Sequence, residues 1–97
     1  MSIRADRADH WELCFVCGLN LPAVGEDAPW GISGKDPTFA FCPCCGVEFG
    51  YQDATLDAAR NRREAWAQDS YRWADPERQP ADWQAAQQLS NLPERAR

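Results

Sequence analysis

Cys14-Phe15-Val16-Cys17-Gly18 and Cys42-Pro43-Cys44-Cys45-Gly46 are one unit written twice, C-x-x-C-G. Two residues between thiolates let a tight turn aim both sulfurs at one ion, at about 2.3 Å each. The glycine after the second cysteine permits the left-handed backbone position where the chain turns back. Backbone N–H groups of such a turn can face the sulfurs and offset their charge. With 24 residues between Cys17 and Cys42, the two knuckles supply four tetrahedral ligands. The spacing therefore predicts one structural zinc ion on Cys14, Cys17, Cys42 and Cys45.

Two other uses of these thiols stay open at this point. A C-x-x-C pair also suits thiol redox chemistry, but redox pairs open a helix after a core strand, and neither unit has that context. An iron–sulfur cluster would use the same four thiolates, and spacing does not separate it from zinc. Cys44 falls between the ligands of the second knuckle and breaks the repeat. It reads as a small buried turn residue; the alternative is an exposed thiol that reacts or exchanges with a ligand, as in a thiol-redox or metal-handling protein. An anionic neighbourhood discourages ionisation of a further thiol. His10 is the only histidine, and with four cysteines filling the tetrahedron it reads as solvated or as a neighbour of the site.

Outward from the cysteines, residues 11–18 (WELCFVCG) predict a short strand entering a turn, and residues 39–51 (FAFCPCCGVEFGY) a strand, a turn and a returning strand. Residues 19–38 are rich in proline and glycine without periodicity, and read as a long loop. After residue 52 the character changes. Asp53 or Thr55 can cap a helix over residues 56–72, which lacks proline and glycine. Leu56, Ala59, Arg63, Trp66, Ala67 and Ser70 share one face of it, so Arg63 either lays its stem over the apolar stripe or pairs with a carboxylate at the seam. A second short helix is expected from Pro80, Ala81 and Asp82 to about Leu89. The expected fold class is a small metal-stapled α+β domain. A flexible polar arm (1–10) precedes a zinc-ribbon-like β-hairpin region with two knuckles (11–52), and a helical region (53–92) packs on it.

Ninety-seven residues form one domain at most, too short for a large core, so a metal staple is expected. The odd cysteine count, five, fits a disulfide framework poorly, and residues 1–10 lack the apolar stretch of a secretory signal. Clustered thiols in a reducing, cytoplasmic setting favour metal. No apolar run reaches membrane-spanning length. The net charge of −5, with four thiolates and a dication added, becomes about −7. Such a charge repels phosphate backbones and makes nucleic acid an unlikely partner. It suits a basic protein partner.

No catalytic constellation is evident, no small-molecule substrate is suggested, and the chain is expected not to be an enzyme. Asp53 and Asp57 are explained by helix capping. Gly31-Ile32-Ser33-Gly34-Lys35 lacks the spacing of a phosphate loop. The five tryptophans are expected to build most of the core, with Trp30 in the long loop the one expected to be exposed. Trp30, Tyr51, Arg60 and Arg63 are the candidate partner-binding residues. A stripe of Arg60, Arg62, Arg63 and Arg72 would be needed for the alternative, a nucleic-acid-binding transcription accessory.

The first knuckle, Pro29-Trp30, and above all Phe41-Cys42-Pro43-Cys44-Cys45-Gly46-Val47-Glu48-Phe49-Gly50-Tyr51 resemble a family of small bacterial cysteine-rich proteins of the CPCC or zinc-ribbon kind. The pattern continues into Arg63 and Trp66, then Trp83 and Gln88-Leu89, so the resemblance covers residues 11 to about 92. Phe15 stands where that family has proline. The resemblance implies a zinc-bound, largely uncharacterised fold, some of whose relatives resemble immunity or accessory proteins beside bacterial toxins.

Overall fold

The computed structural model of the chain describes residues 7–97; the expected polar arm lies outside the described residues as far as residue 6. Thr55 starts helix α1 (Leu56–Gln68). Its backbone is extended and its hydroxyl accepts the Ala58 N–H at 3.0 Å, satisfying one of the orphan donors of the first turn. Ala59 and Trp66 are buried on the inner face. The helix ends at Gln68 rather than Arg72. Ser70 and Tyr71 both take left-handed φ, 59° and 56°, and the Tyr71 N–H returns to the Trp66 carbonyl at 2.9 Å. Helix α2 (Ala85–Leu89) is also shorter than expected. The Trp83 N–H closes a turn on the Pro80 carbonyl and Gln84 is extended, so helical geometry begins only at Ala85. Single 3-10 turns at Ala8–His10, Pro22–Val24, Pro76–Arg78 and Glu94–Ala96 complete the regular structure.

No strand occurs among the described residues, and this corrects the zinc-ribbon-like α+β reading. Each knuckle carries one isolated antiparallel bridge, Leu13 with Asn20 and Phe41 with Glu48. The arms cannot lengthen into a hairpin because the backbone turns away on both sides. Before the first knuckle Trp11 is in the α region, and after it Pro22, which has no N–H to give, opens a 3-10 turn. Around the second, Phe39 at φ 60° and Gly50 at φ 94° break the extended run on both sides. The fold is two helices and short 3-10 turns packed against a cysteine-centred loop core.

That core joins Leu13, Phe15, Val16, Leu19, Leu21, Val47 and Phe49 with Ala59, Trp66, Trp73 and Leu92. Trp83 stands edge-on to Trp73 with centroids 5.6 Å apart and lies 6.1 Å from Trp66, so three of the tryptophans form one cluster under the knuckles. Trp30 is half-buried. Its indole N–H donates to Asp53 Oδ2 at 3.0 Å, and the Arg7 guanidinium lies 4.1 Å from its ring. Asp53, fully buried, also accepts the Gly50 N–H at 2.7 Å and faces Arg7 at 3.7 Å. This buried pair ties the start of the described chain to the loop and to the entry of α1. Desolvation lowers the Arg7 pKa, with the Asp53 charge opposing the shift.

Candidate metal centre

The two knuckles share one hydrogen-bond pattern. The Cys14 N–H donates to the Leu19 carbonyl at 2.8 Å and the Cys42 N–H to the Val47 carbonyl at 2.9 Å. The Gly18 and Gly46 N–H groups return to the carbonyls of Cys14 and Cys42 at 2.8 and 2.9 Å. Outside these, Leu21 donates to Glu12 and Phe49 to Ala40. Gly18 and Gly46 sit at φ 82° and 80°, where a β-carbon would crowd its own backbone. The doubled C-x-x-C-G motif is thus a doubled structure.

The four sulfurs of Cys14, Cys17, Cys42 and Cys45 lie within 4.8 Å of one another. Cys14 faces Cys45 and Cys17 faces Cys42, each pair with Sγ–Sγ of 3.7 Å. The first cysteine of each knuckle therefore meets the second of the other. A tetrahedron with sulfurs 2.3 Å from its centre has edges of about 3.8 Å, so the cage fits one ion. A disulfide needs sulfurs at about 2.05 Å, and all five cysteines are free. A multi-iron cluster would hold the sulfurs farther apart than this cage does. Cys14, Cys17 and Cys42 are fully buried and Cys45 is 9% exposed.

Burial pushes the Cys14 and Cys17 thiols well up and Cys45 up. Burial acts the same way on Cys42, but the hydrogen bonds it receives from Cys14, Cys17 and Cys45 outweigh it and drive Cys42 well down. Four thiols crowded in a dry cage cannot all ionise without strong mutual repulsion. A divalent cation removes that conflict by displacing the protons.

The helical half holds the outward carbonyls of both turns. Arg63 donates from Nε to the Val16 carbonyl at 2.8 Å and from one terminal nitrogen to Phe15 and Ala96 at 2.7 Å each. Gln88 Nε2 donates to the Cys17 carbonyl at 3.0 Å, and its Oε1 accepts the Trp83 indole N–H at 2.8 Å. Asn91 reaches the Gly18 carbonyl at 3.1 Å. At the second knuckle backbone takes over: Ala74 and Asp75 N–H groups donate to the Cys44 and Pro43 carbonyls, both at 2.9 Å. Sequence reasoning missed Gln88 and Asn91 as supports of the site. Nothing local marks them, since their acceptors are main-chain carbonyls about seventy positions away.

Cys44 is fully buried, and its sulfur receives the Gln88 amide at 3.3 Å. His10 lies outside the cage, with Nε2 3.7 Å from Asp9. Arg60 donates to Asp57 and to the carbonyls of Arg95 and Arg97. Arg63 faces the first knuckle, and Tyr51 is exposed. No helix among the described residues is long and apolar enough to cross a membrane.

No protein-family model, curated protein or solved structure matches the chain. With no strand among the described residues, the chain does not have the expected CPCC or zinc-ribbon kind of fold. What stands is a small cysteine-rich chain with a buried four-cysteine cluster able to coordinate a metal ion.

Proposed function

We propose that this chain is a zinc-stapled protein-binding module. The observation that carries the staple is the cage itself: four thiol ligands complete a tetrahedron and leave no open position for substrate or water, the mark of a structural rather than a catalytic site. Zinc is the ion assigned because four thiolates in tetrahedral array are its usual closed structural cage. With the core so small, the ion supplies a large part of the folding free energy. The protein-binding part rests on the acidic charge and on exposed aromatic side chains that the core does not use. A basic partner follows from the charge, and steering would hasten its encounter.

The nucleic-acid alternative is weakened by where the arginines point. Arg60 and Arg63 donate to main-chain carbonyls, and Arg72 lies 3.5 Å from Asp69, which counts against three of the four arginines in the stripe it needs. The thiol-redox alternative needs an accessible Cys44, which is buried.

Native mass spectrometry of protein purified gently from its own host tests the proposal in one spectrum. One zinc per chain with a stoichiometric basic protein is the expected result. A metal-free folded chain, or one with disulfides, overturns the staple.

A further inference from the structure

The repeat offers an internal comparison. Under the shared hydrogen-bond pattern Trp11 corresponds to Phe39, Leu13 to Phe41, Asn20 to Glu48 and Pro22 to Gly50. In the first knuckle this face is covered: Leu13 is 6% exposed and Trp11 half-buried. In the second it is bare: Phe41 is 66% and Phe39 59% exposed, and Tyr51, next to Gly50, is 74% exposed. Ala40 between the two phenylalanines accepts the Phe49 N–H, and the rings on either side of it are both left to solvent. Two copies of one unit thus differ in whether the face is used for folding.

The bare face is also built at a conformational cost. Phe39 holds φ 60°, a region that bulky side chains avoid. Its ring lies against Gly50, where an added β-carbon would come within 2.8 Å of the ring and 2.5 Å of Pro37. The Phe49-Gly50-Tyr51 run thereby acquires three distinct roles: Phe49 fills the core, Gly50 makes room for Phe39, and Tyr51 faces solvent.

Charge identifies the occupant. Residues 11–52 carry five carboxylates and one cation, Lys35, whereas residues 53–97 carry eight carboxylates and seven arginines, with Asp53 buried against Arg7 and Asp57 3.1 Å from Arg60. Most of the acidic excess belongs to the knuckle half, and Glu48 sits opposite Phe41. Resting on the protein-binding reading, we propose that Phe39, Phe41 and Tyr51 form the docking surface for a basic protein segment in which an apolar anchor is flanked by lysine or arginine. The anchor seats on the rings. The flanking cations meet Glu48 and the open faces of the exposed aromatics.

The test selects phage-displayed random 12-residue peptides on the zinc-loaded full chain. A fluorescein-labelled consensus peptide is then titrated by anisotropy. The expected consensus is an aromatic or aliphatic residue between lysines or arginines, with affinity falling as NaCl rises. Phe41→Ser and Tyr51→Ser should each weaken binding by about tenfold or more and leave zinc content and urea midpoint unchanged, since both side chains lie outside the core. Peptides that bind these variants as well as the parent, or that carry no basic residues, overturn the surface while leaving the binding-module reading standing. Failure to enrich any peptide that needs zinc-loaded protein counts against the binding-module reading as well. Self-association in sedimentation that Phe41→Ser abolishes would make this a face between copies of the chain, and the proposal would fall.

Discussion

Replacing Arg63 by methionine should destabilise the zinc-loaded protein more than any change at a surface arginine. Its guanidinium makes three hydrogen bonds of 2.7–2.8 Å to the carbonyls of Phe15, Val16 and Ala96. Hydrogen bonds from charged donors contribute about 1.5–3 kcal/mol each. The side chain is half-buried, so water can reach part of what it leaves behind, and the three cannot be summed in full. The expected loss is about 3–5 kcal/mol. With a urea dependence of about 1.5 kcal/mol/M for a chain of this size, the unfolding midpoint should fall by about 2–3 M. Methionine keeps the stem's packing, so the change reads the guanidinium. Arg63→Lys is the sharper control. A lysine keeps the charge but is a single-point donor that cannot span three carbonyls, and it should show most of the same loss. Equilibrium unfolding in a zinc buffer, followed by tryptophan fluorescence, measures both. If Arg63→Met shifts the midpoint by less than about 0.5 M, or Arg63→Lys matches the parent, the outward carbonyls do not need the fork. Arg63 would then be an ordinary surface cation.

Gly18→Ala should cost about 3 kcal/mol or more, because its β-carbon would lie 2.4 Å from the Gln88 carbonyl oxygen in addition to the strain of φ 82°. Gly25→Ala, at φ 84° with nothing within 4 Å, should cost only the backbone strain, about 1–2 kcal/mol; equal urea midpoints for the two would refute the close approach to α2. Arg7→Met strips the ion-pair partner from the buried Asp53 carboxylate and should lower stability by about 3 kcal/mol, or roughly 12–20 °C in thermal midpoint by calorimetry; a shift under a few degrees would mean that the Gly50 and Trp30 N–H groups suffice for Asp53. Zinc binding at pH 7 should release about four protons, read from calorimetry in two buffers of different ionisation enthalpy, because the ligands of a metal-free unfolded chain are thiols with pKa near 8.5. About three would instead show that the cage persists without metal and already holds one negative charge among its four sulfurs. Zinc depresses the ligand pKa values below those of the unfolded chain, so the stability it brings is present above them and is lost as pH falls.

The four-cysteine cluster could be read from the sequence because its geometry is local: two residues between thiols and a glycine after them fix a turn whatever surrounds it. Thr55 and the start of α1 were legible for the same reason. The strands were not, because alternation in residues 39–51 marks which side chains face inward but not whether neighbouring arms continue to pair. Phe39 and Gly50 turn the backbone away, and a phenylalanine at positive φ has no signature in sequence. Arg63 was visible as a charge within an apolar stripe, and a carboxylate at the seam was a reasonable partner to expect. Its actual partners are carbonyls, which every residue carries and no sequence marks.

The unequal support of the two knuckles follows from chain order. The first is made before the helices and must be held by side chains that reach back to it: Arg63 from α1, Gln88 from α2 and Asn91 beyond it. The second lies only about thirty residues before the segment at Ala74 and Asp75, which lays its own N–H groups on the turn. Side-chain support demands specific residues, whereas backbone support demands only that the segment pass close by. The first knuckle is accordingly the less tolerant of substitution, although both contribute two ligands to the same cage. Gly46 shows the difference directly, since a β-carbon there would meet only the Ala74 methyl at an ordinary 3.4 Å, whereas at Gly18 it would strike backbone. With its first knuckle committed to the fold in this way, the chain leaves Phe39, Phe41 and Tyr51, at the outer side of the second, exposed to solvent.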